Sequence, residues 1–345
     1  MKKLVTLPAL CIALTLGAQD FHYSMFTMSP LNLNPALTGA FSGDLRIVNN
    51  YRTQWASVSK PFTTYSFGGD YILPAKDARK ASPDYFALGV MVNADKAGST
   101  ALKHNSFNVL GAYHKSLDGT GATMFSFGAS AGYGLRSINT AESTWDAQWT
   151  GIAHDPNRPS GETYSYRETF GFFDFSAGAA ITGTGNSRFM WRTGVGLHHI
   201  NRPLINFLGD EDRLYMKIGW HASAQVAFSD DPIAWLVPQV QVVQHGPARL
   251  VNLGAGMKFK LSERSRYTNY REEKTVTIGG MYRLGDAGSG YIRFDFGPVG
   301  AAFNYDLNIS PLTAASQGRG AMEFMLIYTG VYRNKNAKLS APSFN

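Results

Sequence analysis

The stretch Phe125-Ser126-Phe127-Gly128-Ala129-Ser130-Ala131-Gly132-Tyr133-Gly134 decides the fold class. Phe125, Phe127, Ala129, Ala131 and Tyr133 share one parity, and Ser126, Gly128, Ser130, Gly132 and Gly134 the other. A period of two puts each set on its own face of a β-strand. One face is then apolar and aromatic, and its opposite is small or polar.

The pattern recurs along the chain. Phe86, Leu88, Val90 and Val92 alternate with Tyr85, Ala87, Gly89, Met91 and Asn93. Phe173, Phe175, Ala177, Ala179 and Ile181 alternate with Asp174, Ser176 and Gly178. Phe189, Trp191, Val195 and Leu197 alternate with Arg192, Gly194, Gly196 and His198, and Ile292, Phe294 and Phe296 with Tyr291, Arg293 and Asp295. A soluble sandwich turns its apolar face inward, whereas a membrane barrel turns it to lipid and keeps glycine, serine and charge in the lumen. The segments run to about 10 residues, the length of a tilted strand crossing a bilayer. Tyr and Phe crowd the segment ends, as interfacial girdles require.

The expectation is an all-β fold: a closed antiparallel transmembrane β-barrel of about 14 strands, an even number as in bacterial single-chain barrels. Closure is required because an open edge in lipid leaves unpaired backbone groups. The predicted strands are 44–55, 62–73, 84–94, 104–115, 122–134, 168–183, 188–200, 215–229, 234–245, 250–261, 274–284, 290–297, 300–309 and 320–331. With both termini periplasmic, alternate connections are short turns. Asp118-Gly119, Thr184-Gly185-Asn186-Ser187, Asp230-Asp231-Pro232 and Gly297-Pro298 have that chemistry. The stretch Ser137 to Thr169 falls on the extracellular side, while 74–83 and 262–273 are long for periplasmic turns.

The start of the chain reads as a secretory signal peptide over residues 1–18. Lys2 and Lys3 precede an apolar Leu4–Leu16, and small residues precede Gln19. That run is too short for a membrane-spanning helix. Cys11, the only cysteine, leaves with the signal, so disulfides and thiolate chemistry are excluded from the mature chain. Residues 19–43 form an N-terminal segment expected at the periplasmic mouth, 44–331 the barrel and 332–345 a polar C-terminal tail. The formal net charge of +7 falls to +2 without Lys2, Lys3, Arg333, Lys335 and Lys338. The charge therefore gives no support for a nucleic-acid surface.

Little in the sequence points to catalysis. Gly128-Ala129-Ser130-Ala131-Gly132 matches a nucleophile-elbow pattern, but it lies mid-strand, where the required strand-to-helix turn is missing. The histidines at 22, 104, 114, 154, 198, 199, 221 and 245 form no zinc-ligand spacing, and the adjacent pair His198 and His199 should point to opposite faces of a strand. They read as lumen or interface histidines. Asp210-Glu211-Asp212 lacks the spacing of a calcium loop and reads as a solvated loop, and Asp230-Asp231 reads as a turn. No catalytic, cofactor-binding or metal-binding residue is expected, and no cofactor. Arg264, Arg266, Tyr267, Tyr270 and Arg271 lie in a charged, aromatic connection that is either a hydrated turn or a docking surface for a periplasmic partner.

Several motifs together are similar to those of the PorP/SprF family of type IX secretion outer-membrane proteins. They include Ser29-Pro30-Leu31-Asn32-Leu33-Asn34-Pro35-Ala36-Leu37-Thr38-Gly39, Asn50-Tyr51-Arg52-Thr53-Gln54-Trp55, and Asp146-Ala147-Gln148-Trp149 with His154-Asp155-Pro156. Near the end come Asn304-Tyr305-Asp306-Leu307-Asn308-Ile309-Ser310 and Gly318-Arg319-Gly320-Ala321-Met322-Glu323-Phe324. The resemblance implies a non-catalytic protein of the cell outer membrane. Its expected partners are outer-membrane lipid, periplasmic secretion-ring components and a secreted adhesin or other cargo, gliding adhesins among them. A barrel of this size would not pass a folded domain, which favours docking or anchoring over conduction. The main alternative is a porin or small-molecule transporter, with Arg46, Arg52, Arg192, Arg293 and Asp295 lining a polar lumen. An outer-membrane hydrolase and a soluble secreted β-sandwich or adhesin domain are further alternatives.

Overall fold

The computed structural model describes residues 20–56, 60–73, 83–98, 102–139, 145–161, 168–186, 188–205, 207, 211–262, 273–310 and 313–330. The signal peptide and the C-terminal tail lie outside the described residues.

Alternation makes strands here because each face has its own solvent. The strands are β1 (Leu45–Gln54), β2 (Phe62–Ile72), β3 (Tyr85–Ala97), β4 (Leu102–Ser116), β5 (Thr123–Ser137), β6 (Thr169–Asn186) and β7 (Phe189–His198). They continue as β8 (Lys217–Ala227), β9 (Ala234–His245), β10 (Ala248–Ser262), β11 (Lys274–Arg283), β12 (Ala287–Phe296), β13 (Val299–Asn308) and β14 (Arg319–Gly330). Each pairs antiparallel with its sequence neighbours, and β1 pairs with β14 to close the barrel. The closing register runs from Leu45↔Gly330 to Gln54↔Ala321 without a break, so no edge is left to lipid.

The outer face carries the apolar set. Phe86 is 59% exposed and Leu88 52%, and Phe127, Phe173, Phe175 and Phe324 are also exposed. The inner set is buried: Asn50, Asn93, Ser126, His221, Asn304 and Glu323 all point inward. No helix among the described residues is long and apolar enough to cross a membrane, and the strands make the crossing.

Strand ends differ from the sequence reading by a few residues. β6 runs on to Asn186, past the expected turn at 184–187, with a register shift between Thr184 and Asn186 against β7. At Asp118-Gly119 the turn forms as expected: the Asp118 carboxylate accepts the amides of Thr120, Gly121 and Thr123 at 2.9–3.0 Å, and Gly119 takes a φ of 71°.

The barrel has two rims. The turn rim holds the start of β1, the end of β14 and the connections 117–122, 228–233 and 297–298. The loop rim holds the described parts of the connections after β5 and β7, residues 138–139, 145–161, 168, 199–205, 207 and 211–216. Above it, part of the long loop folds on itself. Buried Gln148 donates to the Arg158 carbonyl (3.0 Å) and bonds His154 Nε2 (3.0 Å), and Trp149 bridges to His154.

A charge on the outer face should be costly. Val90→Arg, mid-strand in β3, is expected to lose about 2–4 kcal/mol, read as a lowered urea midpoint in micelles. Ile152→Arg, on an exposed loop, should stay within about 0.5 kcal/mol. An unchanged midpoint for Val90→Arg would mean that this face does not meet lipid.

Candidate functional site

The polar inner wall needs something to bond, and the N-terminal segment supplies it. Residues 20–44 fill the lumen and cross it from one rim to the other. Asp20 pairs with Lys217 and His199 at the loop rim. At the turn rim the Asp44 amide donates to the Gly330 carbonyl (2.8 Å). The segment was expected at the periplasmic mouth, and it differs from that reading for a physical reason. Tyr23, Met25, Phe26, Met28, Leu31, Leu37 and Phe41 are all buried, and each gains on the order of 1.5–3 kcal/mol over exposure to water. Met25, Phe26, Met28 and Leu31 join inward-facing Val48, Met91, Leu110, Met281 and Met325 in one apolar cluster.

Local sequence sets the path of this plug. Pro30 opens a one-turn helix (Pro30–Leu33), and Pro35 opens a 3₁₀ turn (Pro35–Leu37). Proline at the first position removes an amide that has no helical partner there. Asn34 caps the second turn by accepting the Ala36 amide (2.9 Å), and its own amide donates to the Ala179 carbonyl (3.1 Å). Gly39 takes a φ of 80° and donates its amide to Asp70 (2.6 Å). On the wall, Gly128 lets the backbone of Pro35–Ala36 approach so closely that any Cβ would collide with it.

Three polar anchors hold the plug. Near the loop rim Ser24 is gripped on every polar atom. Its amide donates to Glu323 (2.7 Å) and its hydroxyl to Asp306 (2.8 Å), while Arg52 and Arg283 donate to its Oγ (3.0 and 2.9 Å). Asn252 donates to its carbonyl (2.9 Å), and the Met25 amide also reaches Glu323 (3.1 Å). Arg52 pairs with Glu323 and Arg283 with Asp306 (3.1 Å), so the buried charges balance. At the turn rim Arg46 bonds Asp70 (2.7 Å) and the Leu37 carbonyl (2.9 Å), Arg192 donates to the Ala40 carbonyl (2.9 Å), and His114 Nε2 donates to the Thr38 carbonyl (2.6 Å).

The third anchor ties the plug's first described residue. Burial disfavours the Asp20 carboxylate, but the Lys217 ammonium and then His199 outweigh it and hold its pKa well below the usual range. Burial likewise opposes charge on His199, yet the hydrogen bond to Asp174 and the Asp20 carboxylate 3.6 Å away raise its pKa.

The residues singled out from sequence thus take different places. Arg46, Arg52 and Arg192 face the lumen but hold the plug, while Arg293 pairs with Asp295 (2.7 Å). Ser130 is mid-strand in β5, with no turn beside it. His198 and His199 do not oppose one another. The strand ends at His198, and His199 takes a φ of 57°, so both line the same cavity. Glu211 and Asp212 are exposed, and Asp210 lies outside the described residues. So do Arg264, Arg266, Tyr267, Tyr270 and Arg271. Among the described residues no group of three or more His, Cys, Asp or Glu could hold a metal ion. Glu323 and Asp306 appeared in the sequence only as parts of motifs, and Ser24 was not singled out.

A family described as "Type IX secretion system membrane protein PorP/SprF" matches residues 15–328. No protein of curated function matches the chain. Among solved structures the barrel is similar to the Ralstonia pickettii toluene transporter TbuX, at 10% identity and a TM-score of 0.49, over 90% of this chain and 95% of that one. It is similar to a TodX monoaromatic hydrocarbon channel mutant (10%, 0.48, 87% and 93%). A Pseudomonas aeruginosa FadL homologue is also similar (10%, 0.46, 86% and 92%).

Glu323→Ala should free the plug. It removes the acceptor of two plug amides and the nearer of the two carboxylates that pair with Arg52, a loss of about 3 kcal/mol, the lower end for a broken buried pair. The plug carries Phe21, Tyr23 and Phe26 but no Lys or Arg, so chymotrypsin cleavage of the folded barrel reports its release. The Asp20 anchor should depend on pH. The raised His199 pKa makes its contribution complete below the ordinary 6.5 and lost as pH rises through the raised value. The lowered Asp20 pKa makes its contribution complete above 3.8 and lost as pH falls through the lowered value. Cleavage at Phe21 is therefore expected to quicken at alkaline pH, and His199→Asn should flatten that profile.

Proposed function

The chain belongs to the type IX secretion system membrane protein PorP/SprF family, and from that premise we propose that it docks or anchors secreted proteins at the outer membrane rather than conducting them. The filled lumen carries this reading. Buried apolar side chains and three polar anchors hold the N-terminal segment across the whole bore. A conduit would need all of them broken together.

In this reading the barrel is non-catalytic, and its two rims do different work. The loop rim faces outward, as the longer connections of such barrels do, and presents the folded loop around Gln148 to a secreted protein or adhesin. The turn rim faces the periplasm. There the connection between β10 and β11 bears Arg264, Arg266, Tyr267, Tyr270 and Arg271, proposed to contact periplasmic ring components. Aromatic and arginine side chains are the types enriched at protein interfaces.

Two experiments test it. Replacing residues 263–272 by a two-residue turn should abolish co-purification of secretion-ring components from native membranes and leave barrel abundance unchanged. Unaltered co-purification would remove those residues from the partner surface. The intact protein should show no steady conductance in a planar bilayer, and deletion of residues 20–41 should open a persistent pore. Steady conductance by the intact chain would favour the porin alternative.

A further inference from the structure

Between the plug and the wall, near the loop rim, lies a cavity of about 130 Å³. That is room for roughly ten waters. Four buried polar atoms on its lining have no hydrogen-bond partner among the described residues: Gln241 Oε1, His245 Nε2, Asp174 Oδ1 and His22 Nε2. Gln241 and His245 are each more than nine-tenths buried. Groups buried in this way ordinarily have partners, so their convergence on one space points to an occupant.

The lining defines its chemistry. Gln241 Oε1 and Asp174 Oδ1 are acceptors only, so the occupant carries hydrogen-bond donors. The imidazoles of His22 and His245 each offer one donor or one acceptor, which suits hydroxyl groups that do both. Inside the cavity the charges are paired, because Asp20 and Asp174 face Lys217 and His199, and the further cation of the lining, Arg249, is exposed at its mouth. A charged ligand would upset that balance. The metal alternative fails on donor geometry among the described residues. Leu31, Met91 and Leu110 supply an apolar wall, and the ring of Phe172 lies among the lining residues. A few placed polar groups on an apolar wall is the usual design of a small-molecule site. A pyranose ring has the matching character: hydroxyl donors around its edge and an apolar C–H face.

We propose that this cavity binds one neutral sugar ring, entering from the loop rim past Ala248–Leu250. The inference is independent of the docking reading. Asp20, His22 and Asn32 of the plug line the cavity together with the wall, so an occupant would bridge the two. The sugar could be a free monosaccharide or the terminal residue of a surface glycan.

The test uses the full chain in a detergent without a sugar headgroup. Methyl glycosides of glucose, galactose, mannose and N-acetylglucosamine are titrated by calorimetry, each beside an oligosaccharide ending in the same residue. At least one glycoside should bind saturably, with a Kd on the order of 1 mM, a weak affinity by the standards of protein ligands. Binding of the glycoside alone indicates a free sugar, and binding of both indicates a glycan end. Gln241→Ala should weaken binding tenfold or more, and Ser130→Phe, which fills the cavity, should abolish it. Thr277→Ala, in a separate smaller cavity, should change nothing. Heat-modifiable migration on gels confirms that each variant is folded. No saturable binding by any probe, or equal binding by the folded Gln241→Ala and Ser130→Phe proteins, overturns the proposal.

Discussion

A backbone amide or carbonyl in hydrocarbon has no water to bond, and leaving one unpaired costs several kcal/mol. Everything else in this molecule follows from that penalty. It forces each strand to pair on both sides and the last to return to the first, as β14 does on β1. It also sorts side chains. Lipid takes the apolar parity of each strand, so the polar parity collects in the lumen, where Arg46 meets Asp70 and, nearer the other rim, Arg52 meets Asp306 and Glu323.

A lumen lined with buried charge brings a second requirement. Such groups are tolerated only when paired and hydrogen-bonded. The wall pairs them in part, and the N-terminal segment completes them. Ser24 brings an amide, a hydroxyl and a carbonyl to a cluster of two acids and two arginines. Gly39 and the carbonyls of Leu37, Thr38 and Ala40 do the same at the opposite rim. The segment's apolar side chains meanwhile find inward methionines. Plug and wall are therefore one core, and neither satisfies its polar groups without the other.

Much of this was legible in the residues. The alternation around Phe125–Gly134 gave strand, face and membrane class, and the segment lengths gave a strand number that the structure matches. Turn chemistry at Asp118-Gly119 placed a turn correctly, while at Thr184–Ser187 it placed the short turn early, because β6 keeps pairing with β7 through Asn186. The histidines were rightly read as luminal in the main, but the strand period misassigned His199. A period holds only while the strand lasts, and one residue with positive φ just beyond its end turned that ring inward.

The sequence by itself determined the architecture, because a side chain's preference for lipid or lumen is a property of the residue and its parity. It also set residues 19–43 apart as a path that precedes the first strand. Only the tertiary structure decided where that path runs. The contacts that hold it join Ser24 to Glu323 and Gly39 to Asp70, residues far apart in the chain and brought together by closure of the barrel. Local patterning carries no information about such distant pairings, so a segment that read as a mouth proved to be the core.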